Sequence, residues 1–353
     1  METALSFVWL FPPVKLAGKT EADCIGLGLM RYDRPGNRCT FQAEGGIQQE
    51  RSKAMTQKVK IRGIISAMVT PFTKGGEFVD YEKLGPLANL LLKQGASGLF
   101  PCGTTSEGLL MNPEERREVL EEVIRSVDNK TPVIAHTGAF DTATTIELTR
   151  HARDCGAYAA AIVAPGYYGY DDDALFQYYR SIARAVDRFP ILLYNIPSCA
   201  RNVLHPELVL RLAESEENIV GIKDSSGVMT GITRMVGNAP EGFHVICGTD
   251  DYGYQAILAG CPAVVSGLSN VVCEIYAAVY NNIQKGNLKK AWKEEVRLEK
   301  AARLFKYGQN LAAFKYGLGL RGFDAGYVRP PQRELNAAEK RTLENGLKEL
   351  GVL

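Results

Sequence analysis

Residues 220–268 read VGIKDSSGVMTGITRMVGNAPEGFHVICGTDDYGYQAILAGCPAVVSGL. Three short apolar runs stand out in this stretch: Val220–Lys223, Val245–Gly248 and Ala263–Leu268. Each has strand length and is bounded by glycine, proline or small polar residues. The region from Tyr252 to Cys273 carries no charge and is long enough to cross a bilayer. Gln255, Asn270, two serines and Pro262 interrupt it, and Pro262 divides a helix-like Tyr254–Ala259 from the strand-like Ala263–Leu268. The stretch therefore reads as a buried helix followed by a buried strand.

Outward from here the same unit repeats. Five earlier runs, Ile64–Val69, Gly98–Cys102, Val133–Thr137, Ala160–Ala164 and Ile191–Asn195, bring the number of strand-like runs to eight. Their spacing is about the ~30 residues of a strand-plus-helix unit. Helix starts lie between them: Asp80 ahead of Tyr81–Lys93, Asn112-Pro113-Glu114-Glu115 ahead of Arg116–Val127, and Asp141 or Thr142 ahead of Ile146–Cys155. Short continuous apolar strands alternating with helices imply parallel strands covered on both sides. Eight such units fit an α/β protein of the (β/α)8 TIM-barrel type better than an open doubly wound sheet. No GxGxxG or GxxxxGK[ST] follows any strand, which removes the two commonest nucleotide readings.

The flanks differ from the repeat. Residues 1–60 hold Pro12, Pro13, Pro35 and a mixed polar run without sustained period, and read as an N-terminal extension that is disordered or not native, with Met55 a candidate start. Residues 61–273 read as the barrel. Residues 274–353 read as a C-terminal helical subdomain, with helices at Glu274–Lys285, Leu288–Phe305, Gln309–Leu318 and Ala337–Leu350.

Composition narrows the function. The 353 residues are 46% hydrophobic and 23% charged, the profile of a globular protein with a sizeable core. Lys plus Arg exceed Asp plus Glu by one, so no global field draws the chain to nucleic acid or anionic membrane. The eight cysteines show no CxxC pair and no Cys/His spacing, as expected of reduced thiols in a cytoplasmic protein without a metal site. Cys102, Cys199 and Cys247 fall near strand ends with no histidine placed to activate them. His136 and His244 have no ligand spacing.

In a barrel the chemistry sits where strands end. The sixth run ends Gly221-Ile222-Lys223-Asp224-Ser225-Ser226, placing a lysine inside an apolar strand. Removing an ammonium from water is costly, and an amine left neutral is a nucleophile for carbonyl carbon. The structural alternative is that Lys223 pairs with Asp224 or another barrel carboxylate. The fifth run ends Tyr194-Asn195-Ile196-Pro197, and that phenol either shuttles a proton or packs in the core with its hydroxyl satisfied. The turn Cys102-Gly103-Thr104-Thr105-Ser106-Glu107-Gly108 offers hydroxyls and backbone N–H groups to a carboxylate or phosphate, or is an ordinary turn. Tyr167, Tyr168 and Tyr170 share one loop, as an interface patch or a substrate wall.

Taken together, Gly103-Thr104-Thr105-Ser106-Glu107, Tyr194-Asn195-Ile196-Pro197, Gly221-Ile222-Lys223-Asp224-Ser225 and Gly248-Thr249-Asp250-Asp251 resemble the dihydrodipicolinate synthase / N-acetylneuraminate lyase family across residues 61–353. The resemblance implies a homotetramer built from dimers, without metal or organic cofactor. It implies that Lys223 forms an imine with pyruvate or a related 2-oxo acid, that Tyr194 relays the proton, and that Thr104 and Thr105 serve the hydroxyl relay and the 2-oxo-acid carboxylate beside Gly103. Tyr167, or Tyr168 if the loop shifts by one, would reach a neighbouring subunit's site, and the Val265 backbone would face the site.

Two departures bear on the substrate. Cys199 stands where members acting on aspartate semialdehyde carry a carboxylate-binding arginine, with Arg201 two residues further on. Phe140 stands where lysine-inhibited members carry asparagine. A class I aldolase with a sugar-acid-type or other small aldehyde as acceptor is the leading expectation. 4-Hydroxy-tetrahydrodipicolinate synthase using Arg201 is the alternative within the family, dehydration of a deoxy sugar acid through the same imine is a third reading, and a silent 2-oxo-acid-binding barrel is the alternative of another class.

Overall fold

The computed structural model describes residues 59–128, 131–305 and 311–353; the N-terminal segment with Met55 lies outside them, as does Gln309. Eight strands, β1 (Gly63–Ser66), β2 (Gly98–Leu99), β3 (Ile134–His136), β4 (Ala159–Val163), β5 (Ile191–Asn195), β6 (Ile219–Asp224), β7 (His244–Cys247) and β8 (Ala263–Ser266), run in the order β2-β1-β8-β7-β6-β5-β4-β3. All pairings are parallel. A parallel bridge from Leu99 to Val133, with the Leu99 N–H donating to the Pro132 carbonyl at 2.9 Å, joins the two ends of the sheet. The result is the (β/α)8 barrel that the repeat implied.

Each strand leads into a principal helix, α1 (Leu84–Lys93), α2 (Pro113–Ser126), α3 (Thr142–Asp154), α4 (Asp172–Ala185), α5 (Pro206–Ser215), α6 (Met229–Asn238), α7 (Gly253–Leu258) and α8 (Ser269–Gln284), with a further α-helical turn, Pro197–Ala200, between β5 and α5. Three more follow, α9 (Leu288–Leu304), α10 (Ala312–Leu320) and α11 (Ala337–Glu349). Asn112 closes a capping box with Glu115 at the start of α2, and Asp141 accepts the Thr144 N–H at 2.8 Å to start α3. Asp80 makes no side-chain cap and precedes a short 3-10 turn, Tyr81–Lys83, before α1 begins. Among the described residues no helix is long and apolar enough to cross a membrane, and Tyr252–Cys273 resolves into α7, β8 and the first turn of α8.

Several strands stop before their apolar runs do. β1 ends at Ser66 and β8 at Ser266, while Val69 and Leu268 remain buried. Apolar character reports burial, whereas strand assignment needs a neighbouring ladder, and these backbones leave the ladder to build the mouth of the barrel. The Val69 N–H, for example, donates to the Asn270 side chain at 3.0 Å. α8 likewise begins at Ser269, ahead of the expected Glu274. A Ser-Asn pair has loop character in sequence, but here Ser269 Oγ donates to Ser66 Oγ at 2.8 Å and Asn270 Nδ2 donates to the Ala67 carbonyl at 2.8 Å. Those bonds tie the helix start to β1.

α9 lies over the end of β7 through buried acids. Asp250 Oδ2 accepts the Leu268 N–H at 3.2 Å, and burial pushes its carboxyl up to about 6. Glu295 in α9 is pushed up to about 7 by burial and then by the charges of Asp250, Glu299 and Asp251. Both values exceed the roughly 3.9 and 4.3 of an unfolded chain, so the native state binds more protons between about pH 4 and 7. The stability these acids allow is complete below pH 4 and is lost as pH rises through 7. Glu295→Gln is therefore expected to melt several degrees above the parent at pH 8, with the gap closing towards pH 5. A gap that does not change with pH in calorimetric scans would refute this assignment.

Candidate active site

The site forms where β5 and β6 run in register. Tyr194 pairs with Lys223 and Asn195 with Asp224, so strand alternation sends the first pair to one side of the sheet and the second to the other. Asp224 is engaged by Asn195 Nδ2 at 3.1 Å and by the N–H of Ser226 at 2.8 Å. Lys223 thus does not pair with its sequence neighbour. It is 4% exposed, and its Nζ lies 3.9 Å from the centre of the Tyr194 ring and 4.3 Å from that of Phe100. Among the described residues it forms no ion pair. Gly248, at the end of β7, makes room for it, since a Cβ there would stand 3.0 Å from Lys223 Cε and 2.1 Å from Ser225 Oγ.

The Tyr194 hydroxyl lies 3.3 Å from Thr104 Oγ1, which brings two sequence-predicted residues from β5 and the β2 turn together. Behind the phenol, the His136 ring stands edge-on to it at 5.8 Å. His136 Nδ1 is 2.9 Å from the Cys102 carbonyl, which can only accept, so Nδ1 carries the proton. Burial, reinforced by the Arg116 and Lys223 cations, holds this imidazole well below the ordinary histidine range and therefore neutral. Sequence reasoning treated His136 as an ordinary strand residue and did not single out Phe100. Their positions at the ends of β3 and β2 were the available signal.

The β2 turn owes its shape to two residues in the left-handed region, Cys102 (φ 61°) and Glu107 (φ 57°). Gly108 is required beside them, because a Cβ there would stand 1.8 Å from the Cys102 carbonyl oxygen. Ser106 Oγ donates to the Met68 carbonyl at 2.6 Å. Glu107 is buried and paired with Lys315 of α10 at 2.7 Å, and its second oxygen accepts the Arg329 N–H at 2.8 Å. The helices beyond the barrel therefore hold the turn that carries Thr104 and Thr105.

The remaining predicted residues are less tightly grouped. Thr105 Oγ1 reaches the end of β8, where a Cβ on Gly267 would stand 3.5 Å from it, and Gly103 packs against the Phe100 ring. Val265 is buried in β8 opposite Ile65. Tyr167 is 75% exposed with φ 72°, its ring 4.9 Å from that of Tyr168. Arg201 Nη1 donates to the Tyr167 carbonyl at 3.3 Å. A cavity of about 270 Å³ opens beside Thr104 and His136 at the ends of β2 to β5; Cys199 lines it and Arg201 does not.

Residues 60–350 match the model of the dihydrodipicolinate synthetase family. A protein of Methanopyrus kandleri named 4-hydroxy-tetrahydrodipicolinate synthase is 33% identical over 294 residues, covering 83% of this chain and 98% of that one. Among solved structures, dihydrodipicolinate synthase from Aquifex aeolicus superposes with a TM-score of 0.79 at 29% identity, over 83% of this chain and 99% of that one. YagE, a prophage protein of E. coli K12 belonging to the dihydrodipicolinic acid synthase family and solved in complex with pyruvate, gives a TM-score of 0.79 at 28% identity, over 83% of this chain and 99% of that one.

Proposed function

This chain belongs to the dihydrodipicolinate synthetase family, and is accordingly a lyase of the Schiff-base class I aldolase type; we propose that Lys223 is its imine-forming residue and pyruvate, or a 2-oxo acid yielding pyruvate, its donor. One observation carries the assignment: a lysine 4% exposed, on aromatic faces and without an ion pair among the described residues, at the end of a barrel strand. In this reading the amine attacks the 2-oxo carbon and water leaves. The resulting imine draws electrons from the neighbouring methyl group, which loses a proton to become an enamine. Tyr194, bonded to Thr104, moves protons on and off the reacting oxygen. Thr105 and the backbone N–H groups beside Gly103 hold the donor carboxylate, with the Val265 backbone forming the opposite wall.

The acceptor in this reading is a sugar-acid-type or other small aldehyde. A second reading, 4-hydroxy-tetrahydrodipicolinate synthase, is favoured by the names of relatives such as that of M. kandleri. Against it, Cys199 stands where the arginine for the aspartate semialdehyde carboxylate is expected, and the Arg201 guanidinium is turned to the Tyr167 carbonyl. Robust turnover of pyruvate with aspartate semialdehyde that collapses in Arg201→Ala would reverse this preference. The exposed Tyr167 and Tyr168 suit a contact with a second copy of the chain.

Borohydride reduction in the presence of pyruvate, followed by peptide mass mapping, tests the central assignment. A pyruvate-derived mass gain on the Lys223 peptide is expected, and its absence in folded protein would defeat the proposal.

A further inference from the structure

The cavity beside Thr104 and His136 has an unusual wall for a sugar-acid site. Leu109, Phe140, Val163, Ile196, Cys199 and Leu311 make up much of it, and none of the described residues on it is lysine or arginine. Its polar side chains are largely engaged already. Glu107 is held by Lys315 and by the Arg329 N–H, Thr104 by the Tyr194 hydroxyl, and His136 Nδ1 by the Cys102 carbonyl, which leaves Gln332 and the buried, unpartnered His136 Nε2, a single neutral acceptor. The apolar character continues outwards, since Phe140 is 61% and Leu109 52% exposed. Exposed large apolar side chains at the mouth of a concave apolar cavity mark a place where apolar surface is to be covered.

Resting on the aldolase reading above, and taking its small-aldehyde branch against its sugar-acid branch, we infer that the acceptor is an uncharged, apolar aldehyde carrying a branched aliphatic or aromatic group rather than a polyhydroxylated or anionic one. A polyol here would exchange hydrogen bonds with water for contacts with carbon, and a carboxylate would meet no cation among the described residues. Size agrees: a dry apolar cavity of roughly 150 Å³ holds benzene, and this one measures about 270 Å³. The enamine carbon bonds to the aldehyde carbon, the carbonyl electron pair moves to oxygen, and that oxygen takes the Tyr194 proton. Water then releases the 4-hydroxy-2-oxo acid and regenerates the Lys223 amine.

Steady-state rates at saturating pyruvate test this with four probes: benzaldehyde, 3-methylbutanal, D-glyceraldehyde and aspartate semialdehyde. The apolar pair is expected to exceed the other two in kcat/KM by about 100-fold, a ratio within reach of hydrophobic and hydrogen-bonding discrimination together. Phe140→Ser, at an exposed wall position, is expected to raise the KM for benzaldehyde about tenfold and so to narrow its lead over D-glyceraldehyde. Equal rates, or a preference for D-glyceraldehyde or aspartate semialdehyde, would overturn the inference. Borohydride trapping on the same samples separates the two levels. A pyruvate adduct on Lys223 with the wrong aldehyde preference overturns the acceptor class alone, and no adduct overturns the aldolase reading with it.

Discussion

Lys223→Ala is expected to lower pyruvate-dependent turnover by about 10⁵-fold or more, the scale seen when a covalent nucleophile is removed, while the barrel keeps its fold. The loss is chemical because, among the described residues, Nζ has no ion-pair partner to orphan and touches the faces of Tyr194 and Phe100. Removing it leaves two aromatic rings to relax into the space, rather than an unpaired buried carboxylate. Tyr194→Phe provides the contrast. It deletes the hydroxyl that meets Thr104 Oγ1 and is expected to slow turnover by about 10²–10⁴-fold, as for a proton-transfer group, while still yielding a borohydride-trapped adduct. Single-turnover rates and circular dichroism on both variants check the pair of outcomes. Turnover by Lys223→Ala within tenfold of the parent would exclude imine chemistry at this residue.

The second large effect lies outside the reacting atoms. Lys315 and Glu107 are both buried, and burial pulls the Lys315 ammonium below its ordinary range while the Glu107 charge opposes that shift. Lys315→Met leaves the Glu107 side chain without its cation, and is expected to cost about 3–5 kcal/mol, the usual penalty for breaking a buried pair on one side. Glu107→Gln combined with Lys315→Met is expected to recover much of that loss, because no uncompensated charge remains. Urea unfolding of both variants at an unchanged slope measures the difference. A single variant as stable as the parent would mean that the pair does not support the turn. Because that turn carries Thr104 and Thr105, the single substitution is also expected to slow turnover.

Much of this molecule was legible along the chain. Eight apolar runs separated by helix starts implied a barrel, and the barrel placed the residues worth weighing at strand ends. Lys223 stood out because lysine is foreign to a buried strand, and the capping residues Asn112 and Asp141 stood out because helix N-termini leave N–H groups to satisfy. Each of these signals is local, arising from a residue's conflict or agreement with its immediate neighbours.

What the chain could not show was which side chains meet across long separations. Lys315 lies 208 positions from Glu107, and in sequence it is the single cation of an otherwise apolar helix, with nothing to say which acid it meets. His136 was unremarkable until β3 brought it behind Tyr194, and the Asp224 carboxylate was a plausible partner for Lys223 until strand alternation turned the two apart. The number and order of elements follow from periodicity and propensity, which act over a few residues. Ion pairing, burial of individual atoms and the apolar wall of the cavity beside Thr104 depend on packing between elements, and so only the tertiary structure decided them.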